Sequence, residues 1–306
     1  MSFKNLEFLF ERAKKGNIMR VVVAAAEDGE VLEAVHTANV EGIVEATLVG
    51  DPDKISKVAK DKGVDISSFE VIPATNEEEA AMKAVQAVSS GEGDLLMKGF
   101  IKTSTLLKAV LNKEWGLRSG RLLSHLFLFE VPRLGRVVGL TDGGLNTYPG
   151  LQEKAAIVSN AVSCYHALGV ETPKVAALAA VEVVNPDMPC TLEAAALVQM
   201  NRRNQIKGCI IDGPLALDNA LSEEAARHKG VVSEVAGHAE VLLVPDIEAG
   251  NIFAKAIVYL TKNKTAGLVL GAKVPVVLTS RADSAETKLL SIASAVALAA
   301  YKSVSN

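Results

Sequence analysis

Between Arg20 and Leu278, short apolar runs rich in valine alternate with segments of helical period, and that alternation leaves few folds open. Arg20–Ala26 (RVVVAAA) reads as a buried strand with a helix over Gly29–Asn39 behind it. Glu45–Val49 reads as a second strand, closed by Gly50-Asp51-Pro52, and Phe69–Ile72 as a short third. An alanine-rich helix over Asn76–Ser89, a strand over Asp94–Met97 and a helix over Thr103–Leu111 follow. Buried strands joined through helices need crossover connections, so the class is α/β, with mainly parallel sheets covered by helices on both faces.

The rhythm breaks at Ser124–Glu130 and Val137–Leu140, two strand-like runs joined through Pro132-Arg133-Leu134-Gly135. Proline discourages continuous structure there, which places a domain crossing near residue 132. A helix over Leu151–Leu168 and strands at Val175–Leu178, Cys209–Asp212, Val241–Val244 and Leu268–Leu270 come next. The Val274–Leu278 strand and the last helix are expected to return to the first sheet. The expected division is 1–132 plus 268–306 for one α/β domain and 133–267 for the other. A chain of 306 residues is long enough for both cores.

Aromatic residues make up 4% and the net charge is -4, which disfavours stacking platforms and basic grooves for nucleic acid. Cys164, Cys190 and Cys209 are far apart, odd in number and without a CxxC pair, as expected of free thiols in a reducing compartment. The amphipathic N-terminus MSFKNLEFLFERAKKG has no apolar core of a secretory signal, and no stretch approaches the length of a membrane span. A cytoplasmic protein with no membrane contact is expected. GxGxxG, Walker, GxSxG and HExxH patterns are all missing, and His36, His125, His166, His228 and His238 are scattered, so no metal site is expected.

Polar residues and glycines gather instead after predicted strands, where open α/β sheets bind ligands. Lys98-Gly99-Phe100-Ile101-Lys102-Thr103, followed by Lys108, Arg118 and Arg121, puts cations at a helix start, the pattern of a phosphate site or of a solvated basic face. In TDGGLNTYPG, Asp142 and Asn146 flank a glycine pair, as they do in ordinary turns. Asp212, Pro214, Asp218 and Lys229 mark a third cluster. Pro245–Asn251 marks a fourth, with a helix start expected at Gly250-Asn251 and Lys255 a turn later. The fifth is TSRADSAET. Asp283 is expected as N-cap with Glu286 three residues on, which leaves Thr279, Ser280 and Arg281 to be explained. An arginine fork ahead of a helix start suits a tetrahedral oxyanion.

The segments VAGHAEVLLVPDIEAGNIFAKAIVYL and PVVLTSRADSAETKLLSIASA resemble the phosphate acetyltransferase/phosphate butyryltransferase family. So do IDGPLALDNALSEEAARHKGVVSEV, TDGGLNTYPGLQEKAAIVSNAV and VVVAAAEDGEVLEAV with LVGDPDKI. The likeness spans nearly the whole chain, and KGFIKTSTLLKAVL leans to the butyryl branch. It implies two α/β/α domains around a cleft, a fold shared with isocitrate/isopropylmalate dehydrogenase-like enzymes, in a homodimer or higher homo-oligomer. It implies transfer of a short acyl group, butanoyl favoured, between coenzyme A and inorganic phosphate by direct thiolate attack in a ternary complex. Coenzyme A is then a substrate, and no tightly bound cofactor is expected. A phosphate acetyltransferase, a non-catalytic relative binding CoA or acyl phosphate, and a dehydrogenase of the same fold are the alternatives.

The resemblance also implies roles. Arg281 matches the family's phosphate-binding arginine and Ser280 the serine that stabilises the intermediate. An aspartate pair in acetyl-type members falls on Glu286 and Thr287, so the base is left between Glu286, Asp283 and another group. Lys98, Thr103, Lys108, Arg118, Arg121, Asn251 and Lys255 are expected around phosphate and CoA. Asp142, Asn146, Asp212, Pro214, Asp218 and Lys229 are expected along the substrate cleft.

Overall fold

The computed structural model describes residues 3–305. The chain first lays down α1 (Glu7–Lys14), β1 (Met19–Ala24), α2 (Gly29–Val40), β2 (Val44–Gly50) and α3 (Pro52–Lys62). Then come β3 (Glu70–Pro73), α4 (Glu77–Ser89), β4 (Leu95–Lys98) and α5 (Thr103–Val110). The middle stretch builds β5 (Ser124–Val131), β6 (Arg136–Thr141), α6 (Leu151–Ala167), β7 (Lys174–Leu178) and α7 (Pro189–Arg202). It continues with β8 (Ile210–Leu215), α8 (Leu217–Leu221), α9 (Glu223–His228), β9 (Val241–Leu243) and α10 (Ile247–Leu260). The chain closes with β10 (Thr265–Leu270), β11 (Val276–Val277) and α11 (Ala285–Ser305).

Two compact units result, Glu7–Arg121 with Ala266–Asn306 (the terminal unit) and Met1–Leu6 with Leu122–Thr265 (the middle unit). The boundary at Arg121/Leu122 falls ahead of β5, whereas the sequence pattern placed a crossing near 132. The reason is local. β5 and β6 are antiparallel partners from Phe127↔Leu140 to Val131↔Arg136, and Pro132–Leu134 is the short 3₁₀ corner between them.

In the terminal unit the strands run in the order β3-β2-β1-β4-β11-β10. The first five are parallel and β10 is antiparallel to β11. The C-terminal ends of β1, β2, β4 and β11 therefore share one edge. Strand order reverses at β1, which β2 and β4 flank, and such reversals open the crevice in which α/β sheets take ligands. Helices start at that edge on side-chain caps. Asp28 accepts the Val31 amide at 3.0 Å, Asp51 those of Asp53 and Lys54, and Asn76 that of Glu79. Helix α3 was not expected from the pattern, because only Ile55 and Ala59 of its residues are buried. Its signals are the Asp51 cap, Pro52 in the first turn and Gly63 at φ 69° beyond its end.

The close approach of β4 to β1 is the tightest feature of this edge. Gly99 donates its amide to Ala24 O at 2.9 Å and Phe100 to Ala25 O at 2.6 Å. A Cβ on Gly99 would lie 2.0 Å from the Ala25 carbonyl oxygen, so only glycine fits. Ala25 itself takes φ 58°, a left-handed conformation that few non-glycine residues adopt.

The middle unit orders its strands β5-β6-β9-β7-β8, with β6, β9, β7 and β8 parallel. Its core includes Phe127, Leu140, Ala176, Leu242, Val235 and Ile257. Helix α10 begins at Ile247, earlier than the start expected at Gly250-Asn251, because Asp246 caps it by accepting the Ala249 amide at 2.9 Å. Gly250 is instead a packing residue, where an added Cβ would lie 2.7 Å from Gly143 Cα. Among the described residues no helix is long and apolar enough to cross a membrane.

Gly99→Ala is expected to lower unfolding stability by about 1–3 kcal/mol, the usual range for overpacking, as read by urea denaturation. A midpoint equal to that of the parent protein would show that the β1–β4 contact is not the constraint described.

Candidate functional site

The TSRAD turn hangs on β11, a two-residue strand that pairs Val276 with Leu96 and Val277 with Met97 of β4. Beyond it the turn closes on itself. Ser280 donates its amide to Asp283 Oδ2 at 2.7 Å, and Asp283 returns its own amide to Ser280 O at 3.2 Å. Asp283 is thus not the N-cap expected from the sequence. Its carboxylate is claimed ahead of the helix, and Ser284 caps α11 by accepting the Thr287 amide at 3.2 Å. A second first-turn amide, that of Ala285, goes to Glu30 Oε2 of α2 at 3.2 Å. The buried Lys288 donates its ammonium to the Asp283 carbonyl. With these amides engaged inside the protein, positive charge at the turn comes chiefly from side chains.

Arg281 projects from this turn and is about half-exposed. Its guanidinium carbon sits 4.5 Å above the ring centroid of Phe100, and Nη2 lies 3.8 Å from Glu77 Oε1. Lys98, at the end of β4, is only 4% exposed. Among the described residues, its ammonium donates to the Gly99 carbonyl at 3.3 Å. Burial pushes its pKa below the ordinary lysine value, and the nearby charges of Arg281 and Lys288 push the same way, against Asp28 and Asp283. Among the described residues no carboxylate is bonded to this buried cation, and its place beside an arginine at the carboxyl edge of a parallel sheet makes it a candidate anion site. A cavity of about 520 Å³ opens along the same edge, lined by Ala25, Glu27, Lys54, Thr75, Glu77 and Phe100 among others.

The remaining basic candidates are less concentrated. Lys102 precedes α5 and Thr103 opens it, with the Lys102 amide given to Glu77 Oε2 at 3.1 Å. Lys108 lies in the last turn of α5, five residues along a helix that rises about 1.5 Å per residue, and is carried away from that start. Arg118 is exposed and bridges Ala272 through its backbone; Arg121 is exposed, with its amide on Ser119 Oγ at 3.2 Å. Glu286 is exposed in the first turn of α11.

In the middle unit Asp142 is buried and organises its own loop. Its carboxylate accepts the amides of Gly144 (2.8 Å), Leu145 (3.0 Å) and Asn146 (3.4 Å), and the Asn146 side-chain amide at 2.6 Å. Asn146 also donates to Leu123 O at 2.9 Å, and Asn251 ties α10 to the loop through Gly143 O at 3.2 Å. Lys255 lies over the Tyr259 ring at 5.9 Å.

Asp218 and Lys229, expected along the substrate cleft, form an ion pair at 3.2 Å, and Glu182, not foreseen, joins Lys229 at 3.4 Å. Burial, the largest single influence, raises the Asp218 pKa, but the hydrogen bond and charge of Lys229 together with backbone hydrogen bonds from Asn219 and Asp218 leave the carboxyl below its usual value. Glu182 also accepts from the buried Asn219 at 3.1 Å. Asp212 and Pro214 lie within β8, where Asp212 Oδ1 accepts the Gly213 amide at 2.9 Å.

Glu77, Phe100 and Glu30 were given no role from the sequence, although Phe100 lies in the Lys98–Thr103 cluster and Glu30 in the VVVAAAEDGEVLEAV segment. Their only signals are the acidic run that opens α4 and a lone aromatic after Gly99.

The chain matches the model of a protein family described as phosphate acetyl/butaryl transferase over residues 5–81 and 73–297. It is 51% identical over 299 residues to the phosphate butyryltransferase of Clostridium acetobutylicum, covering 98% of this chain and 99% of that one. It is 48% identical over 288 residues to the phosphate acetyltransferase of Thermotoga maritima, covering 94% and 97%. A branched-chain phosphotransacylase from Enterococcus faecalis V583 superposes with a TM-score of 0.81 at 33% identity, covering 92% of this chain and 99% of that one.

The buried charge of Lys98 makes a prediction about stability. Because its folded-state pKa is depressed, the unfolded chain binds more protons between that value and the ordinary 10.5, so wild-type stability rises with pH through this window. Lys98→Met is expected to denature at a higher temperature than wild type at pH 7, with the advantage shrinking as pH approaches 10.5. A difference that stays constant with pH would show that the ammonium is not strained by burial.

Proposed function

Since the chain belongs to the phosphate acetyl/butaryl transferase family, we propose that the TSRAD turn and Lys98 form the phosphate-handling part of its active site. The protein is an acyltransferase that moves a short acyl group between coenzyme A and inorganic phosphate, acyl-CoA + phosphate = acyl phosphate + CoA. The observation that carries the site reading is the pairing of the half-exposed Arg281 with the buried Lys98 at the ends of two adjacent parallel strands.

Each chemical need has a candidate group. In acyl-CoA formation the thiol must lose its proton, because the thiolate is the nucleophile. The C–S bond forms, the carbonyl becomes a tetrahedral oxyanion, and the C–O bond to phosphate then breaks. Arg281 presents a planar fork of donors to the phosphate oxygens, and Lys98 adds a second positive charge. The Ser280 hydroxyl donates to the oxyanion. For the base we assign Glu286. The Asp283 carboxylate is held by the Ser280 amide and shapes the turn, and Thr287 has no basic group. Thr103, Lys108, Arg118 and Arg121 are left to meet the phosphates of CoA. Butanoyl is the preferred acyl group, CoA comes and goes as a substrate without a tightly bound cofactor, and the enzyme works as a cytoplasmic homo-oligomer.

Purified protein mixed with butanoyl-CoA and phosphate is expected to release thiol, followed with a thiol reagent, faster than with acetyl-CoA. No phosphate-dependent release from any short acyl-CoA would sink the proposal, and a faster rate with acetyl-CoA would reverse the chain-length assignment. Arg281→Ala is expected to raise the phosphate KM by about 10–100-fold, the scale of a lost charge-assisted hydrogen bond. Glu286→Gln is expected to abolish the acidic limb of the pH–rate profile, whereas Asp283→Asn retains it. The opposite result would move the base to Asp283.

A further inference from the structure

The phosphate reading leaves open what aims Arg281. An arginine side chain has several rotatable bonds, and an unheld one would sweep a wide arc. Among the described residues, Phe100 and Glu77 approach its guanidinium, and neither was given a role from the sequence. Phe100 lies under its face at 4.5 Å, and Glu77 Oε1 stands 3.8 Å from Nη2, beyond hydrogen-bond reach.

These contacts differ in what they leave free. A carboxylate bonded to the fork would occupy the donors that a phosphate needs. A ring under the face leaves the in-plane N–H groups open, because stacking uses the cation's plane and not its edge. The Arg281 and Glu77 side chains are 43% and 35% exposed, so their ion pair is weak. Glu77 is itself fixed, since its other carboxylate oxygen accepts the Lys102 amide at 3.1 Å.

Phe100 has no evident reason to be aromatic for the core. It is 48% exposed, a large apolar side chain at the rim of a cavity. Its backbone is pinned, however, by its amide on Ala25 O at 2.6 Å and by the Gly99 approach to β1. The ring is thereby set on a rigid base beneath a flexible cation.

We propose that Phe100 is a positioning residue that holds the guanidinium of Arg281 by its face and so keeps its donor fork free for phosphate. This rests on the reading of Arg281 as a phosphate ligand. Phe100→Leu keeps an apolar side chain and removes the π face, while Phe100→Tyr keeps both. In thiol-release assays Phe100→Leu is expected to raise the phosphate KM about three- to tenfold, with a smaller change in the acyl-CoA KM and an unaltered thermal midpoint. Phe100→Tyr is expected to restore the phosphate KM to within about twofold of wild type. The shift in Glu77→Gln is expected to be smaller than that in Phe100→Leu.

A phosphate KM in Phe100→Leu equal to that of wild type, or equal rises in the leucine and tyrosine variants, overturns the positioning role while leaving the phosphate site intact. An unchanged phosphate KM in Arg281→Ala overturns the ligand role of Arg281 and the role of Phe100 with it. Absence of phosphate-dependent thiol release by wild type overturns the functional reading itself, so the three failures are told apart.

Discussion

Two backbone hydrogen bonds, from Gly99 to Ala24 O and from Phe100 to Ala25 O, draw the end of β4 across the end of β1, and the candidate site is built on that junction. They require a residue without Cβ at 99 and a left-handed backbone at Ala25, each a departure from what a strand end ordinarily takes. Their consequences run outward. Lys98 is held buried one residue before the junction, and Phe100 emerges one residue after it. Arg281 then comes to rest on Phe100 from β11, the strand on the far side of β4. Backbone geometry at one strand crossing thus sets the places of two cations and an aromatic ring.

The electrostatics of this edge have a direction. Two lysines are buried here, and the protein treats them differently. Lys288 gives its ammonium to the Asp283 carbonyl, which locks the turn preceding α11. Among the described residues Lys98 bonds a neighbouring carbonyl, and burial first, then Arg281 and Lys288, disfavour its charge against the opposing pull of Asp28 and Asp283. A fold selected only for stability would replace such a group with an apolar one, since an uncompensated buried charge is costly. Retaining it makes sense on the proposal that an anion completes the set, because a phosphate bound there would add to the negative charge that Asp28 and Asp283 supply. The surrounding carboxylates are engaged elsewhere: Glu30 binds Lys62 and the Ala285 amide, and Glu77 binds the Lys102 amide.

The alternation of apolar runs and helical segments made the parallel sheets legible, because burial on both faces leaves a continuous valine-rich signature. Helix α3 escaped, since two buried residues make too narrow a stripe to register as a period, and its start was masked by a Gly-Asp-Pro turn signal. The start of α10 was misplaced for a related reason. Gly250-Asn251 looks like a helix boundary, yet the glycine is inside the helix so that its backbone can approach Gly143. Ser280 and Arg281 were legible as residues left over after capping was assigned, although the cap itself is Ser284. Phe100 and Glu77 were not. Their relation to Arg281 joins segments about 180 and about 200 residues apart, and no local period or spacing records a contact made only by folding.

The clusters that looked alike in sequence separate once the partners of their charges are known. Asp142 spends its carboxylate on three loop amides and Asn146, so the TDGGLN segment is a turn held together from within. Lys229 is paired with both Asp218 and Glu182, which leaves the group one negative charge, and the depressed Asp218 pKa reports Lys229 together with backbone hydrogen bonds. Such a group is stable without a ligand and gains little by meeting an anion, which would have to displace carboxylates already in place. At the carboxyl edge of the terminal unit's sheet, among the described residues, Lys98 has no carboxylate bonded to it and Arg281 approaches Glu77 at 3.8 Å. Polar residues after a strand are therefore a weak sign of chemistry by themselves. What distinguishes TSRAD and its neighbour at β4 is charge that the protein positions, buries in part and, among the described residues, leaves without a hydrogen-bonded carboxylate.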